Sequence, residues 1–154
     1  MENNADKFIQ KGKFRQASTK LVVPENSGLR FILNPIDTKA SFENDINQTL
    51  ATKWRKVREE GKAWHANKTG FGLGEFHSVA VQSDIWALNV CVLNEAGTAD
   101  KDALEKAFKK ICTSALYEKA SLHTADSFLK LGFVEEMATK HFINKGLSVY
   151  VYTK

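Results

Sequence analysis

The chain has 154 residues and a mass of 17.3 kDa, with 43% hydrophobic and 26% charged residues. This size and composition predict a single domain over residues 1–154 that buries a core without disulfides or a structural metal, and they exclude intrinsic disorder. The longest apolar run, residues 85–93, is far shorter than the roughly 20 residues that a membrane span needs, so no membrane association is predicted.

The first six residues are acidic and polar and lack the apolar segment of a secretory signal, which predicts a cytoplasmic protein. The two cysteines, Cys91 and Cys112, lie in apolar periodic segments and are predicted to be core residues. The net charge of +4 favours anionic partners, although charge alone identifies none of them.

The first part of the chain is predicted to be peripheral. Residues 1–28 contain a short predicted strand at Lys7–Gln10, and a polar stretch follows it. The segment Leu29–Leu33 is strongly apolar and predicts a core strand. This strand is expected to stop at Asn34–Pro35, because proline marks a break in regular structure.

From Ser41 onward, apolar residues recur at helical spacing. Ser41 is the predicted N-cap of one long helix, and Gly61 is predicted to lie just past its last turn. Three glycines then follow within residues 70–74. A phosphate-binding loop follows a strand and opens a helix, whereas these glycines precede strands, so they predict a loop that enters a hairpin.

The hairpin is predicted to join Phe76–Gln82 and Ile85–Leu93 through Ser83 and Asp84. In its second strand, the alternating positions that point to the two faces of the sheet are both apolar, which is typical of a central strand with helices on both faces. The remaining predicted elements are a helix capped near Thr98 or Asp100, a strand at Ala120–His123, a helix that Gly146 ends, and a strand at Leu147–Tyr152.

Strands and helices therefore alternate, which predicts an α/β fold with a mostly parallel sheet between helices and one antiparallel addition. Ligands of such sheets bind beyond the carboxyl ends of the strands. The loops after Leu33, Leu93 and His123 are therefore the predicted place of a functional site.

Six segments along the chain share the order and spacing of a known family: Arg30–Asp37, Leu73–Glu75, Val79–Val81, Asp84–Asn89, Ala120–His123 and Lys145–Tyr152. In this order they resemble the macro domains, a family that binds ADP-ribose and includes ADP-ribose phosphatases and ADP-ribosyl hydrolases. The resemblance covers nearly the whole chain and implies a three-layer α/β/α domain with a mixed, mostly parallel central sheet. The divergence is similar to that of macro-like genes carried by bacteriophages, which would place the protein in a host cytoplasm.

Both phosphate-binding loops of the family are altered in this chain. The family cradles a diphosphate with glycine-rich loops, because glycine lets backbone amides approach phosphate closely. Here the first loop is Thr38–Asp45, which includes Glu43 and Asp45, and the second is Thr124–Gly132. Two carboxylates near a diphosphate would repel it by about 1 kcal/mol each, so the resemblance implies a weakened or lost phosphate site.

The resemblance implies candidate residues at the same loops. Asn34 and Asp37 stand where the family places residues for the distal ribose and for catalysis, although they could instead form a turn around Pro35. His123 is the second catalytic candidate, with a structural role as its alternative. Ligand contacts are predicted, together with Asn34, at Ser41, Asn44, Ser127 and Phe128. No metal or cofactor is predicted, because no carboxylate or cysteine stands at ligand spacing from a histidine.

Two main hypotheses for the function follow, and plain RNA binding is a weaker third, because the basic residues are dispersed and no stacking motif accompanies them. The first is a non-catalytic binding module for a protein or nucleic-acid partner, in which Phe42 and Phe128 would fill the ancestral cleft. The second is an atypical binder or hydrolase of ADP-ribose or another nucleotide metabolite. It requires an open cleft into which Asp37 and His123 face.

Overall fold

The computed structural model describes residues 11–153, so the strand predicted at Lys7–Gln10 lies outside the described residues. Its strands are β1 (Phe14–Gln16), β2 (Arg30–Asp37), β3 (Phe76–Gln82), β4 (Ile85–Leu93), β5 (Ser121–Ala125) and β6 (Val149–Tyr152). Its helices are α1 (Asp45–Lys53), α2 (Arg55–Asn67), α3 (Lys101–Glu118), α4 (Asp126–Leu129) and α5 (Val134–His141), followed by a 3-10 turn at Ile143–Lys145.

The strands form one sheet in the order β1-β6-β5-β2-β4-β3. Every neighbouring pair is parallel except β3 and β4, which form the predicted antiparallel hairpin. Helices α1 and α2 pack against each other, and α3 packs against α5. The mixed, mostly parallel α/β fold predicted from the sequence is confirmed.

Strand β2 continues through the proline that was expected to end it. Its pairing with β5 covers only Arg30–Ile32, while its pairing with β4 continues to Asp37. The carbonyl oxygen of Pro35 accepts hydrogen bonds from the side-chain amides of Asn44 and Asn47, at 3.0 and 2.9 Å. Side chains thus replace the missing neighbouring strand, and the absent N–H of proline costs no ladder bond.

The long helix predicted from Ser41 is two helices, and its predicted ends are wrong. Asn44 is the N-cap of α1, because its side chain accepts a hydrogen bond from the N–H of Asn47 at 2.8 Å. Trp54 adopts an extended conformation, with φ −134° and ψ 94°, and separates α1 from α2. Gly61 lies inside α2 rather than past its end.

Other predicted elements agree with the structure. Asp100 caps α3 by accepting from the N–H of Ala103 at 2.8 Å, and both cysteines are buried. Strand β4 is buried along nearly its whole length, as a central strand covered on both faces should be. Strand β1 was not predicted, since only its first residue, Phe14, is apolar. None of the helices in residues 11–153 is long and apolar enough to cross a bilayer.

Candidate functional site

An open cleft lies beyond the carboxyl ends of β2, β4 and β5, and it consists of two adjoining cavities. Cavity A has a volume of about 430 Å³ and is lined by Leu21, Asp45, Ile46, Thr49, Ala125, Asp126, Ser127, Lys130, Tyr152 and Thr153. Cavity B has a volume of about 420 Å³, and its lining includes Pro35, Asp37, Ser41, Glu43, Asn44, Glu95, Gly97 and Leu131. Asp45, Ile46 and Ser127 line both cavities, so the two form one continuous cleft.

The carboxylate of Asp37 organises the loop at the end of β2. One oxygen accepts hydrogen bonds from the N–H groups of Lys39 and Ser41, at 2.9 and 3.1 Å, and the other accepts from the Ser41 hydroxyl. Within this loop, Ala40 and Phe42 have φ values of 49° and 55°. This left-handed conformation favours glycine and costs other residues roughly 1–2 kcal/mol each, which the Asp37 hydrogen bonds help to offset.

Cavity B is strongly acidic. Four of its lining residues are acidic: Asp37, Glu43, Asp45 and Glu95. The Lys39 ammonium lies 3.5 Å from the Glu95 carboxylate, and both side chains are largely exposed. Four carboxylates and one solvated cation disfavour a bound diphosphate, while carboxylate oxygens accept hydrogen bonds well from hydroxyl groups.

Cavity A combines an apolar wall with two carboxylates. Leu21, Ile46 and Tyr152 supply apolar surface, and Asp45 and Asp126 supply acceptors. Burial raises the pKa of the Tyr152 hydroxyl to about 12, so this side chain stays neutral. The mixture suits a flat, partly apolar ligand that carries hydrogen-bond donors at its edge.

Lys130 stands at the rim of cavity A. Its ammonium lies 2.8 Å from the carboxylate of Asp126, which raises the pKa of Lys130. The pairing compensates part of the negative charge on this side of the cleft.

Asn34, a predicted ligand contact, is fully buried and belongs to a chain of side-chain amides. Its amide nitrogen donates to Asn89 Oδ1 at 2.8 Å, and its oxygen accepts from Asn47 Nδ2 at 2.6 Å. Asn89 in turn donates to the carbonyl oxygen of Val57 at 3.1 Å. The chain joins β2, β4, α1 and α2 beneath the cleft, so Asn34 fixes the loop from below and does not line either cavity.

His123 is fully buried, so the expectation that it faces an open cleft is wrong. Its ring stacks on Tyr150, with centroids 4.8 Å apart, and its two nitrogens lie 2.7 Å from Ser121 Oγ and from Tyr152 Oη. Burial, followed by the nearby charge of Arg30, lowers the pKa of His123 to about 3. The physical reason is the position of β5, an interior strand whose central residues are covered on both faces.

Phe42 and Phe128 are also buried, and neither lines a cavity. The Phe42 ring lies against Gly61, and the Phe128 ring meets Phe108 edge to face at 6.2 Å. The expectation that these two rings fill the cleft is therefore wrong, because core packing turns both of them away from it. A direct ligand contact by Phe128 would need a different packing of this ring.

The structure brings four predicted residues, Asp37, Ser41, Asn44 and Ser127, together at the cleft. Asn34, His123 and Phe128 lie beneath or away from it. Sequence reasoning missed Leu21, Thr49 and Tyr152. Thr49 follows Asp45 by four residues on α1, and that spacing is the one local signal that could have placed it at the cleft.

No protein-family model matches the chain, and no curated protein matches its sequence. Among solved structures, the chain is similar to a macrodomain protein from Streptomyces coelicolor, with a TM-score of 0.83 and 20% sequence identity. The match covers 93% of this chain and 98% of that chain. The chain has the macrodomain fold.

Two further solved structures are similar to the chain. The macrodomain of Thermus aquaticus DarG matches with a TM-score of 0.71 and 10% identity, over 93% of this chain and all of that chain (100%). Thermosipho africanus DarTG, solved in complex with ADP-ribose, matches with a TM-score of 0.71 and 11% identity, over 91% of this chain and 41% of that chain. The macrodomain resemblance inferred from the sequence is thereby confirmed at the level of the fold.

Proposed function

We propose that this macrodomain is a non-catalytic binding module whose cleft holds an ADP-ribose-like nucleotide. The observation that carries the proposal is the open, two-part cleft at the carboxyl ends of β2, β4 and β5, lined by Asp37, Ser41, Asn44 and Ser127. Its position is the one that sheets of this class use for ligands. The similarity to Thermosipho africanus DarTG, solved in complex with ADP-ribose, supports the choice of ligand class.

Cavity A is the proposed seat of the base. A planar base gains from burial between the side chains of Leu21, Ile46 and Tyr152. An exocyclic amino group on its edge would donate to the carboxylate of Asp45 or Asp126. The cavity volume of about 430 Å³ lies within the range of small-molecule sites.

Cavity B is the proposed seat of a ribose. Sugar hydroxyls are donors, and the carboxylates of Glu43 and Glu95, together with the Asn44 side chain, supply acceptors. The same carboxylates repel a diphosphate. The nucleoside parts of the ligand therefore contribute the favourable contacts, and the diphosphate weakens binding.

We propose no catalytic step, because the two residues predicted to catalyse, Asp37 and His123, are both engaged within the fold. Both carboxylate oxygens of Asp37 are engaged by Lys39 and Ser41. His123 is buried and hydrogen bonded through both ring nitrogens. Within residues 11–153, neither cavity is lined by a histidine or a cysteine.

A nucleic-acid partner is not part of the proposal, because the basic face of α3 is paired with carboxylates. Lys106 and Lys110 lie 2.8 and 2.9 Å from the carboxylate of Glu75, and Lys140 of α5 lies 2.8 Å from Glu105 of α3. These pairings neutralise part of the positive charge on this face, which reduces the counterion release that drives binding to nucleic acids. A macromolecular partner stays a prediction.

Calorimetric titration with ADP-ribose and with adenosine at low salt tests the proposal. The informative variant is Ser127→Trp, because Ser127 is exposed and lines both cavities, so an indole there blocks the cleft without entering the core. Ser78→Trp, on the exposed face of β3, is the matched control. We expect ADP-ribose and adenosine to bind the wild type and the Ser78→Trp control, and neither ligand to bind Ser127→Trp. None of the three proteins should convert ADP-ribose into a product. Binding that survives Ser127→Trp, or its absence in the wild type, would overturn the proposal.

A further inference from the structure

A third cavity, of about 290 Å³, lies at the opposite end of the sheet from the cleft. Its lining residues precede β2, β5 and β6 or belong to the first residues of strands, and they include Arg15, Lys119, Ser121, Ser148 and Tyr150. We call it the amino-end cavity. None of its lining residues is a carboxylate, in contrast to the acidic cleft. Arg15 and Lys119 form no ion pair with any partner in residues 11–153.

A chain of hydrogen bonds sets the direction of the Ser121 hydroxyl. The N–H of Glu25 donates a hydrogen bond to Tyr152 Oη at 2.8 Å, and the tyrosine oxygen is the acceptor of this bond. Tyr152 is buried, and its own proton needs an acceptor, which is His123 Nδ1 at 2.7 Å. The neutral His123 ring then carries its single proton on Nε2 and donates it to Ser121 Oγ at 2.7 Å.

Because Ser121 Oγ accepts from His123, its own proton is free to point elsewhere. Ser121 is half-buried and lines the amino-end cavity. Ser148 repeats the arrangement, since its oxygen accepts from the N–H of Lys13 at 3.2 Å and it lines the same cavity. Two hydroxyl groups that can still donate a proton thus line the same cavity as two cationic side chains.

We propose that the amino-end cavity binds a phosphate group, with Arg15 and Lys119 supplying positive charge and Ser121 and Ser148 supplying hydroxyl donors. Four donors without a competing carboxylate match the acceptor-only oxygens of a phosphate. The volume of about 290 Å³ exceeds that of inorganic phosphate and leaves room for a small organic group beside the Tyr150 ring. The site is separate from the cleft and does not depend on the function proposed there.

The test is a titration of the isotope-labelled full chain with inorganic phosphate, followed through backbone amide signals. We expect the signals of residues 119–121 and 146–148 to shift, while those of the cleft loops stay unchanged. Parallel titrations with glycerol phosphate and with glycerol distinguish the two sources of the phosphate group. Tighter binding of glycerol phosphate than of phosphate assigns a phosphomonoester, and equal binding assigns free phosphate. Shifts produced by glycerol alone would overturn the proposal.

Two variants with matched controls give the decisive comparison. Lys119 and Lys68 are both helix C-caps in the left-handed conformation, with φ values of 57° and 60°, and only Lys119 lines the cavity. Asparagine tolerates this conformation, so Lys119→Asn and Lys68→Asn remove equal charge with little strain. We expect Lys119→Asn to weaken phosphate binding by about fivefold and Lys68→Asn to leave it unchanged.

Ser121→Ala is expected to weaken phosphate binding by about tenfold, and Ser78→Ala, on the exposed face of β3, is its control. If Ser121→Ala fails to fold because His123 loses a partner, the Lys119→Asn comparison still decides the outcome. Equal affinity in Lys119→Asn and Lys68→Asn, or no amide shift with any phosphate compound, would overturn the proposal.

Discussion

The ring of Phe42 lies so close to Gly61 that a Cβ atom on Gly61 would stand 2.3 Å from Cζ of Phe42. The same Cβ would lie 2.9 Å from Nδ2 of Asn89. Helix α2 can therefore approach β4 and the loop between β2 and α1, which carries Phe42, only because residue 61 has no side chain. The contact joins the loop that follows Asp37 and contains Ser41 to the buried amide chain beneath it.

Gly61→Ala is expected to destabilise the protein by about 1–3 kcal/mol, although alanine is the better helix former. The reason is the overlap of the added methyl group with the Phe42 ring. Urea unfolding measures the effect, and Gly72→Ala is the control, since a Cβ there has no neighbour within 4 Å. A Gly61→Ala protein as stable as the wild type would contradict this packing.

The packing of Gly61 shows why the sequence predicted some of this region and not the rest. Helical periodicity located the apolar face of α1 and α2, because that face repeats along the chain. The break at Trp54 and the interior position of Gly61 depend on neighbours from β4 and the loop. Such contacts leave no periodic signal in the local sequence.

Asn89→Ala is expected to cost about 2 kcal/mol of unfolding free energy. The substitution removes the acceptor of the Asn34 amide and the donor to the Val57 carbonyl, and it leaves both groups buried without partners. Asn144→Ala, at an exposed position, serves as the control in the same denaturant series. A cost for Asn89→Ala as small as that of the control would show that the amide chain contributes nothing to stability.

Glu43→Gln is expected to raise the affinity for ADP-ribose relative to that for adenosine by about two- to threefold at low salt, because both ligands carry a ribose and only ADP-ribose carries the diphosphate. Glu43 lines cavity B, where its charge repels the diphosphate. Because the side chain is exposed, added salt should remove the difference. Glu59→Gln, on an exposed face of α2, changes the net charge equally and should have no effect. Equal gains from both variants, measured by calorimetry, would contradict a local charge effect.

The stability of the protein should fall on mild acidification because of His123. Its pKa is lowered to about 3 in the folded state, whereas the unfolded chain titrates near the ordinary value of about 6.5. Below about pH 6.5 the His123 imidazole therefore binds a proton in the unfolded chain but stays neutral in the folded protein. The free energy of unfolding then falls by up to about 1.4 kcal/mol per pH unit for this residue.

His123→Phe separates this contribution from that of other groups. The variant should be less stable near neutral pH, because Ser121 and Tyr152 lose a partner, and its stability should fall less steeply between about pH 6 and pH 5. His77 and His141, whose pKa values are also lowered by burial, leave a residual slope. Denaturant unfolding at several pH values gives the comparison, and identical slopes for the two proteins would refute the assignment.

The candidate site was predictable in its location more than in its residues. Strand order alone placed it at the loops after β2, β4 and β5, because parallel strands present their carboxyl ends at one edge. Burial decided which side chains reach the cleft. Asp37 is the last residue of β2 and Ser41 lies on the loop that follows, and both line the cleft, whereas His123 lies inside an interior strand. The sequence pattern does not distinguish these cases. A polar residue near the end of a predicted strand gives the same pattern whether it lines a cleft or is buried and hydrogen bonded.

Chemical-shift mapping with ADP-ribose tests the central claim most directly, because it shows both whether the nucleotide binds and where. We expect shifts of backbone amides in residues 41–49, 95–97 and 125–131, which surround cavities A and B. Those amides should shift in the Ser78→Trp control and stay unchanged in Ser127→Trp. Shifts confined to other surfaces, or no shifts at millimolar nucleotide, would contradict the account.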